Sequence, residues 1–146
     1  MESKELYKKL FEAMSTCKRL MHQYFSSLTK DLEATMIQVQ ALVFIKEHPD
    51  STVGELARKL YISMSSAAQL ADRLEKHSWI TRSGDKKDRR IVRLTLTPSG
   101  QQELSSFYEQ MVERMAEFYG RIPEKDVREL LRIHNELIDR MEPKIT

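Results

Sequence analysis

The segment from Thr52 to Pro98 constrains the fold most, because its periodicity changes from helical to alternating within a short span. Thr52-Val53-Gly54-Glu55 fits a capping box: the Thr hydroxyl accepts from the third helical amide while the Glu reaches back to the cap amide. A short helix over residues 53–60 follows. After the connector Tyr61-Ile62, Ser63 caps a second helix over residues 64–77, whose buried stripe is Ala67, Leu70, Ala71 and Leu74. Two short helices joined by so short a connector form a helix-turn-helix. The pattern then becomes extended. Trp79-Ile80-Thr81-Arg82 and Ile91-Val92-Arg93-Leu94-Thr95-Leu96 read as strands, the second alternating Val92, Leu94 and Leu96 onto one face. Ser83-Gly84-Asp85-Lys86-Lys87-Asp88-Arg89-Arg90 joins them as a hairpin with a charged, mostly basic tip.

The flanks are helical. Leu6, Leu10, Met14, Cys17, Met21, Tyr24, Phe25 and Leu28 recur at steps of three and four, predicting a long helix over about residues 4–30. Residues 36–46 are apolar around most of the circumference, which predicts a deeply buried helix ending before His48-Pro49-Asp50. Thr97-Pro98 opens a helix with the stripe Leu104, Phe107, Tyr108, Met111, Val112, Met115, Phe118 and Tyr119. Gly120 stops it, and Pro123 opens a last helix carrying Val127, Leu130, Leu131, His134, Leu137, Ile138 and Met141. The fold class is therefore mainly α with a small β hairpin, in keeping with only four Gly and four Pro in 146 residues.

Composition excludes several classes. With 40% hydrophobic and 32% charged residues the chain is neither disordered nor collagen-like, and a single Cys allows no intramolecular disulfide. The longest apolar stretch, residues 37–45, is broken by Gln38 and Gln40, far short of the roughly 20 apolar residues of a membrane span. No secretory apolar region follows Met1, so no membrane partner and a cytoplasmic location are expected.

The net charge of +2 conceals an uneven distribution. Residues 58–93 hold ten basic and four acidic groups, a balance of +6, while the rest of the chain balances to −4. A polyanion is drawn to the middle of such a molecule and repelled by its ends. A solvated basic face with no partner shows the same charge pattern, so charge alone leaves both readings open.

A helix-turn-helix followed by a basic hairpin is a winged helix, and its parts match duplex DNA. The major groove admits one helix, and the narrow minor groove admits an extended Arg-bearing loop. The outward face of helix 64–77 carries Ser65, Ser66, Gln69, Asp72, Arg73 and Lys76. With the cap Ser63, the candidate recognition residues are Ser63, Ser65, Ser66, Gln69 and Arg73: small residues for close approach, Gln69 for two-point pairing with adenine, Arg73 for phosphate or guanine. The candidate wing residues are Arg82, Lys86, Lys87, Asp88, Arg89 and Arg90.

Two stretches resemble the MarR (multiple antibiotic resistance regulator) family of transcription factors. Leu74-Glu75-Lys76-His77-Ser78-Trp79-Ile80-Thr81-Arg82 is similar to that family's Leu-Glu-x-x-Gly-Leu-Val/Ile-x-Arg. Asp88-Arg89-Arg90-Ile91-Val92-Arg93-Leu94-Thr95-Leu96-Thr97-Pro98-Ser99-Gly100 is similar to its Asp-x-Arg-x-x-x-Leu-x-Leu-Thr-x-x-Gly. The resemblance implies that Arg90 enters the minor groove, that Asp88 holds it in position, and that Arg82 anchors phosphate. A carboxylate two residues away pre-orients the planar guanidinium fork, which agrees with that assignment. Ser78 stands where the family carries Gly at a left-handed helix end, at a cost of about 1 kcal/mol, and Trp79 where Leu is usual.

The apolar stripes over residues 6–28, 104–119 and 127–141 exceed what one small winged helix covers. The resemblance implies that these helices interlock into a homodimer, giving an N-terminal dimerisation helix over 1–35, a winged helix-turn-helix with a two-stranded wing over 36–97 and C-terminal dimerisation helices over 98–146. A two-fold dimer sets its recognition helices about one DNA turn, roughly 34 Å, apart on a pseudo-palindromic operator. The expected function is a repressor released by an effector, for which the resemblance offers a small aromatic or phenolic ligand, cysteine oxidation or metal. Met14, Met21, His22, Met36, Met111 and Met115 are candidate pocket residues, though Met at helical spacing is more often core. Cys17 is the redox candidate, and its place on an apolar stripe favours an inert buried thiol. The four His show no metal-ligand spacing, so neither metal nor other cofactor is expected.

An enzyme is not expected. The chain lacks a phosphate-binding Gly loop, a Gly-x-Ser-x-Gly elbow and a His-Glu-x-x-His helix, and Asp85 and Asp88 sit among cations that keep them ionised. A winged helix that binds another protein through its basic face is the remaining alternative; salt dependence separates it from a DNA binder.

Overall fold

A computed structural model describes residues 3–28 and 34–141. Six helices and three short strands follow in the order α1 (Ser3–Leu28), α2 (Met36–Glu47), β1 (Ser51–Thr52), α3 (Val53–Leu60), α4 (Met64–Lys76), β2 (Ile80–Gly84), β3 (Val92–Leu96), α5 (Pro98–Tyr119) and α6 (Glu124–Met141). Of the expected first helix, residues 29 and 30 lie outside the described residues. The chain divides into two compact units, Met1–Phe107 and Tyr108–Thr146.

In the first unit the core lies where the sequence is most apolar. Ala41, Leu42 and Ile45 of α2 are buried, as are Leu56 of α3, Leu70, Ala71 and Leu74 of α4, Ile80 of β2 and Leu94 of β3. Each large aliphatic side chain so buried contributes roughly 1.5–3 kcal/mol relative to exposure. Hydroxyl caps start the helices. Thr35 forms a capping box with Gln38, and Thr52 forms one with Glu55 through bonds of 3.1 Å in each direction. The first of these boxes is an addition to the sequence reading, which named no cap for α2.

The sheet is antiparallel with the order β1-β3-β2. Ser51 faces Leu94 across the β1–β3 pair, and Arg82 faces Leu94 across the β2–β3 pair. The expected two-stranded wing is thus part of a three-stranded sheet. Its third strand has only two residues, too few to show a period. The strands also start one residue later than expected, because both preceding amides are already engaged. Trp79 N–H donates to Leu74 O at 3.0 Å to close α4, and Ile91 N–H donates to Asp88 O at 3.0 Å to close the wing turn.

The end of α4 and the start of α5 are built together. Ser78, at φ 61°, takes the left-handed conformation expected of it, and its N–H bonds Glu75 O while Trp79 N–H bonds Leu74 O, the paired bonds of a Schellman end. Thr97 then caps α5, accepting from Gly100 N–H at 3.0 Å and donating its hydroxyl to Ser78 O at 2.5 Å. Gly100 is required here by contact. A Cβ at this position meets Trp79 O at 2.1 Å, well inside any real contact distance.

The second unit holds the end of α5 and all of α6. No residue of α6 is buried. Its polar face carries a ladder of ion pairs, Arg128 to Glu124 at 2.5 Å, Arg132 to Glu129 at 2.7 Å and to Glu136 at 3.1 Å, and Arg140 to Glu136 at 2.5 Å. Opposite charges three and four residues apart on a helix are neighbours, so the ladder follows from the sequence spacing. Its Leu131, Ile133, Leu137, Ile138 and Met141 remain exposed.

Candidate nucleic-acid interface

The interface is assembled by α3, α4 and the β2–β3 loop. On α4 the buried residues are Ala67, Leu70, Ala71 and Leu74, which turn the other face outward. Ser63, Ser65, Ser66, Gln69 and Arg73 all lie exposed on or at the start of this face. Ser63 has a second task that the sequence analysis assigns it. Its hydroxyl accepts from Ser66 N–H at 3.1 Å and donates to Ser66 Oγ at 2.9 Å, so it spends its hydrogen bonds capping the helix. Ser65, Gln69 and Arg73 keep theirs directed to solvent in the described contacts.

The wing tip is ordered by two carboxylates. Asp85 accepts from the backbone N–H groups of Asp88 at 3.1 Å and Lys87 at 3.2 Å and faces Arg93 at 3.5 Å. The Asp88 N–H foremost, with Lys87 N–H and Arg93 behind it, holds the Asp85 carboxyl below its ordinary range against a partial opposing effect of desolvation. Asp88 grips Arg90 in a fork: Arg90 Nε donates to one carboxylate oxygen and a terminal nitrogen to the other, both at 3.1 Å, and Arg90 N–H adds a third bond at 3.0 Å. The Arg90 side chain and backbone bonds, in that order, hold the Asp88 carboxyl below the usual range as well. The Arg90 side chain is nevertheless 91% exposed. An exposed guanidinium with a fixed plane is primed to enter a narrow groove at little further entropic cost.

Arg82 points inward to α4. One terminal nitrogen donates to Ala68 O at 3.1 Å and pairs with Asp72 at 2.8 Å. Since Arg82 lies on β2 and Ala68 and Asp72 on α4, this contact fixes the wing against the helix. Lys86, Lys87 and Arg89 are exposed around the tip. An open groove of about 660 Å³ runs between wing and helices, lined by Glu55, Met64, Ala68, Arg82 and Arg90 among others.

Sequence reasoning missed Asp85 as an organiser of the tip, although an Asp placed before turn amides is a usual source of such bonds. It also passed over Asp50, whose carboxylate accepts from the Thr95 hydroxyl and whose carbonyl accepts from Arg93, both at 3.3 Å. That link joins residues far apart in sequence and leaves no local signal.

The other candidates fall in both units. Met14, Met21, His22 and Met36 belong to the first unit and Met111 and Met115 to the second. Met115 lines a cavity of about 270 Å³ with Tyr119, Val127, Leu130, Leu131 and His134; the other five nominated residues do not line it. Cys17 is exposed, contrary to the burial expected of it, because the described chain leaves the apolar stripe of α1 open. Among the described residues no helix is long and apolar enough to cross a membrane.

The arrangement defines a winged helix-turn-helix. The sequence model of the MarR family matches residues 34–92, the stretch from α2 to the start of β3. Relatives in Bacillus subtilis include the uncharacterized HTH-type transcriptional regulator YsmB, 27% identical over 104 residues, 68% of this chain and 71% of that protein. The HTH-type transcriptional repressor MdtR is 36% identical over 66 residues, which cover 45% of this chain and 43% of its own length. Among solved structures, a MarR family protein from Bacillus stearothermophilus superimposes with a TM-score of 0.82 at 22% identity, over 98% of this chain and 100% of that one. The transcriptional regulator BldR from Sulfolobus solfataricus gives 0.71 at 25% identity, over 97% and 100%. The chain is accordingly a transcriptional regulator of the helix-turn-helix class with a DNA-binding fold.

Proposed function

We propose that the protein acts as a homodimeric repressor, reading a pseudo-palindromic operator with α4 in the major groove and Arg90 in the minor groove, and released by a small aromatic or phenolic effector. The observation that carries the DNA reading is the Arg90 fork, exposed at the wing tip yet held by Asp88 on three bonds. The homodimer is supported by the exposed apolar residues of α1, among them Leu6, Leu10, Phe11 and Met14, and of α6. Exposed apolar patches rimmed by polar residues mark interaction sites. The repressor reading is supported by the likeness to MdtR. A dimer seated over a promoter blocks polymerase without further contacts. The apolar cavity at Met115 is the candidate effector site.

Selection of bound sequences from a randomised duplex library at two salt concentrations tests the reading. The expected product is an inverted repeat with half-sites about 10 bp apart. Arg90→Ala is expected to weaken binding and relax the preference for A·T-rich flanks. Lys87→Ala is expected to weaken all sequences alike and to lower the salt slope by about 0.9 per lost phosphate contact. Identical behaviour of the two variants removes the wing assignment. Recovery of no preferred sequence overturns specific recognition, and binding insensitive to salt points to a protein partner.

A further inference from the structure

Among the described residues three that are not glycine hold a positive φ: Asp50 at 62°, Tyr61 at 53° and Ser78 at 61°. Two of them repay the strain within the chain. Asp50, a residue type tolerant of this conformation, bonds Thr95 and Arg93, and Ser78 accepts the Thr97 hydroxyl that caps α5. Tyr61 differs. The backbone there closes α3 with Tyr61 N–H on Arg58 O at 3.3 Å and Ile62 N–H on Ala57 O at 3.1 Å, a helix end at which glycine is the preferred residue. In place of glycine stands a bulky aromatic side chain that is 96% exposed. Packing in this chain does not account for the ring, and the conformation is costly for it.

Its place accounts for it. Tyr61 lies in the turn two residues before Ser63, the cap of α4, and follows Arg58 and Lys59, exposed in the last turn of α3. In a helix-turn-helix the first residues of the second helix face base edges while the preceding helix crosses the sugar-phosphate backbone. The turn between them therefore lies at the groove wall. Tyrosine hydroxyls are recurrent phosphate donors, and a tyrosine orders few torsions on binding. We infer that Tyr61 is a DNA-backbone contact, its phenol hydroxyl donating to a phosphate oxygen beside the half-site read by α4. The inference rests on the DNA-binding reading above and adds a residue to it.

Tyr61→Gly and Tyr61→Phe in the full chain, measured by melting and by anisotropy titration against the duplex recovered in the selection, test it. Tyr61→Gly is expected to raise Tm, since glycine relieves the left-handed strain, and at the same time to weaken operator binding about tenfold, the size of one hydrogen bond to a charged group. Tyr61→Phe is expected to weaken binding to a similar degree with Tm unchanged. The salt slope stays at the wild-type value in both, because the lost donor is neutral and releases no counterion. Operator binding by Tyr61→Gly within twofold of wild type overturns the inference while leaving the DNA reading intact. A fall in Tm alongside the loss of binding overturns it too, by showing that the ring supports the fold. Absence of duplex binding by the wild type overturns the DNA reading and this inference with it.

Discussion

Helices α2 and α6 both announce themselves by their apolar residues, and they end in opposite environments. Six residues of α2 are buried, including Leu42 and Ile45, whereas α6 has none. Apolar residues surround most of α2, so it can satisfy itself only inside a core. Those of α6, Ile133 excepted, lie on the side opposite the Arg–Glu ladder, which leaves that helix suited to a surface covered from one direction. Periodicity thus specifies that a face requires a partner without saying which chain supplies it.

The contrast breaks most visibly by truncation. Leu42→Ala is expected to cost about 2–5 kcal/mol, read as a fall in Tm at every protein concentration, since the side chain is fully buried and leaves a cavity. Gly100→Ala is expected to cost somewhat less, about 1–3 kcal/mol, because Trp79 O obstructs the added methyl. Leu137→Asp in α6 should behave differently. The side chain is half exposed, so the substitution leaves the isolated fold within about 0.5 kcal/mol. Sedimentation is expected to show the loss of a dimer, and Tm to lose the concentration dependence that association confers. A concentration-independent loss as large as that of Leu42→Ala would place Leu137 in the core of its own chain.

A smaller effect separates the two halves of the interface from each other. Asp72→Ala removes one of the two partners of Arg82 on α4, leaving Ala68 O, and loosens the hold of the wing on that helix. Since the pair is partly exposed, the stability change is expected within about 1 kcal/mol. Operator selection is expected to keep the sequence preference under α4 and lose it at the flank under the wing. Equal loss at both positions refutes the coupling.

How far the sequence revealed these features follows from the range of the interaction. The caps at Thr52, Ser63 and Thr97 and the Asp88–Arg90 pair were legible because their partners lie two or three residues apart, whereas the Thr35–Gln38 box, at the same offset, was not read. The three-residue offset of the Thr52–Glu55 box and the left-handed Ser78 are of the same kind. Strand β1 was not legible, as two residues carry no period, and neither was the inward turn of Arg82, whose partners on α4 lie ten and more residues away. Tyr61 appeared only as a connector. Nothing in the dipeptide Tyr61-Ile62 says that the chain must turn left-handed there.

The finest test concerns the fork itself. Asp88 is held below its ordinary carboxyl value chiefly by the Arg90 side chain and next by Arg90 N–H, while Asp85 owes its lowering first to the N–H of Asp88. A carboxyl depressed in the folded state contributes its stabilisation in full above the unfolded value and loses it as pH falls through the folded one. The fork is therefore intact throughout the neutral range and opens only below the ordinary Asp value of 3.8. In a carboxyl titration followed by NMR, Arg90→Ala is expected to move the Asp88 midpoint upward toward that value and to leave Asp85 unmoved. Parallel movement of both carboxyls would mean that the substitution reshapes the whole turn. An unmoved Asp88 would mean that the fork does not form in solution, and Arg90 would then enter DNA unguided, with the entropic cost of orienting its fork transferred to binding.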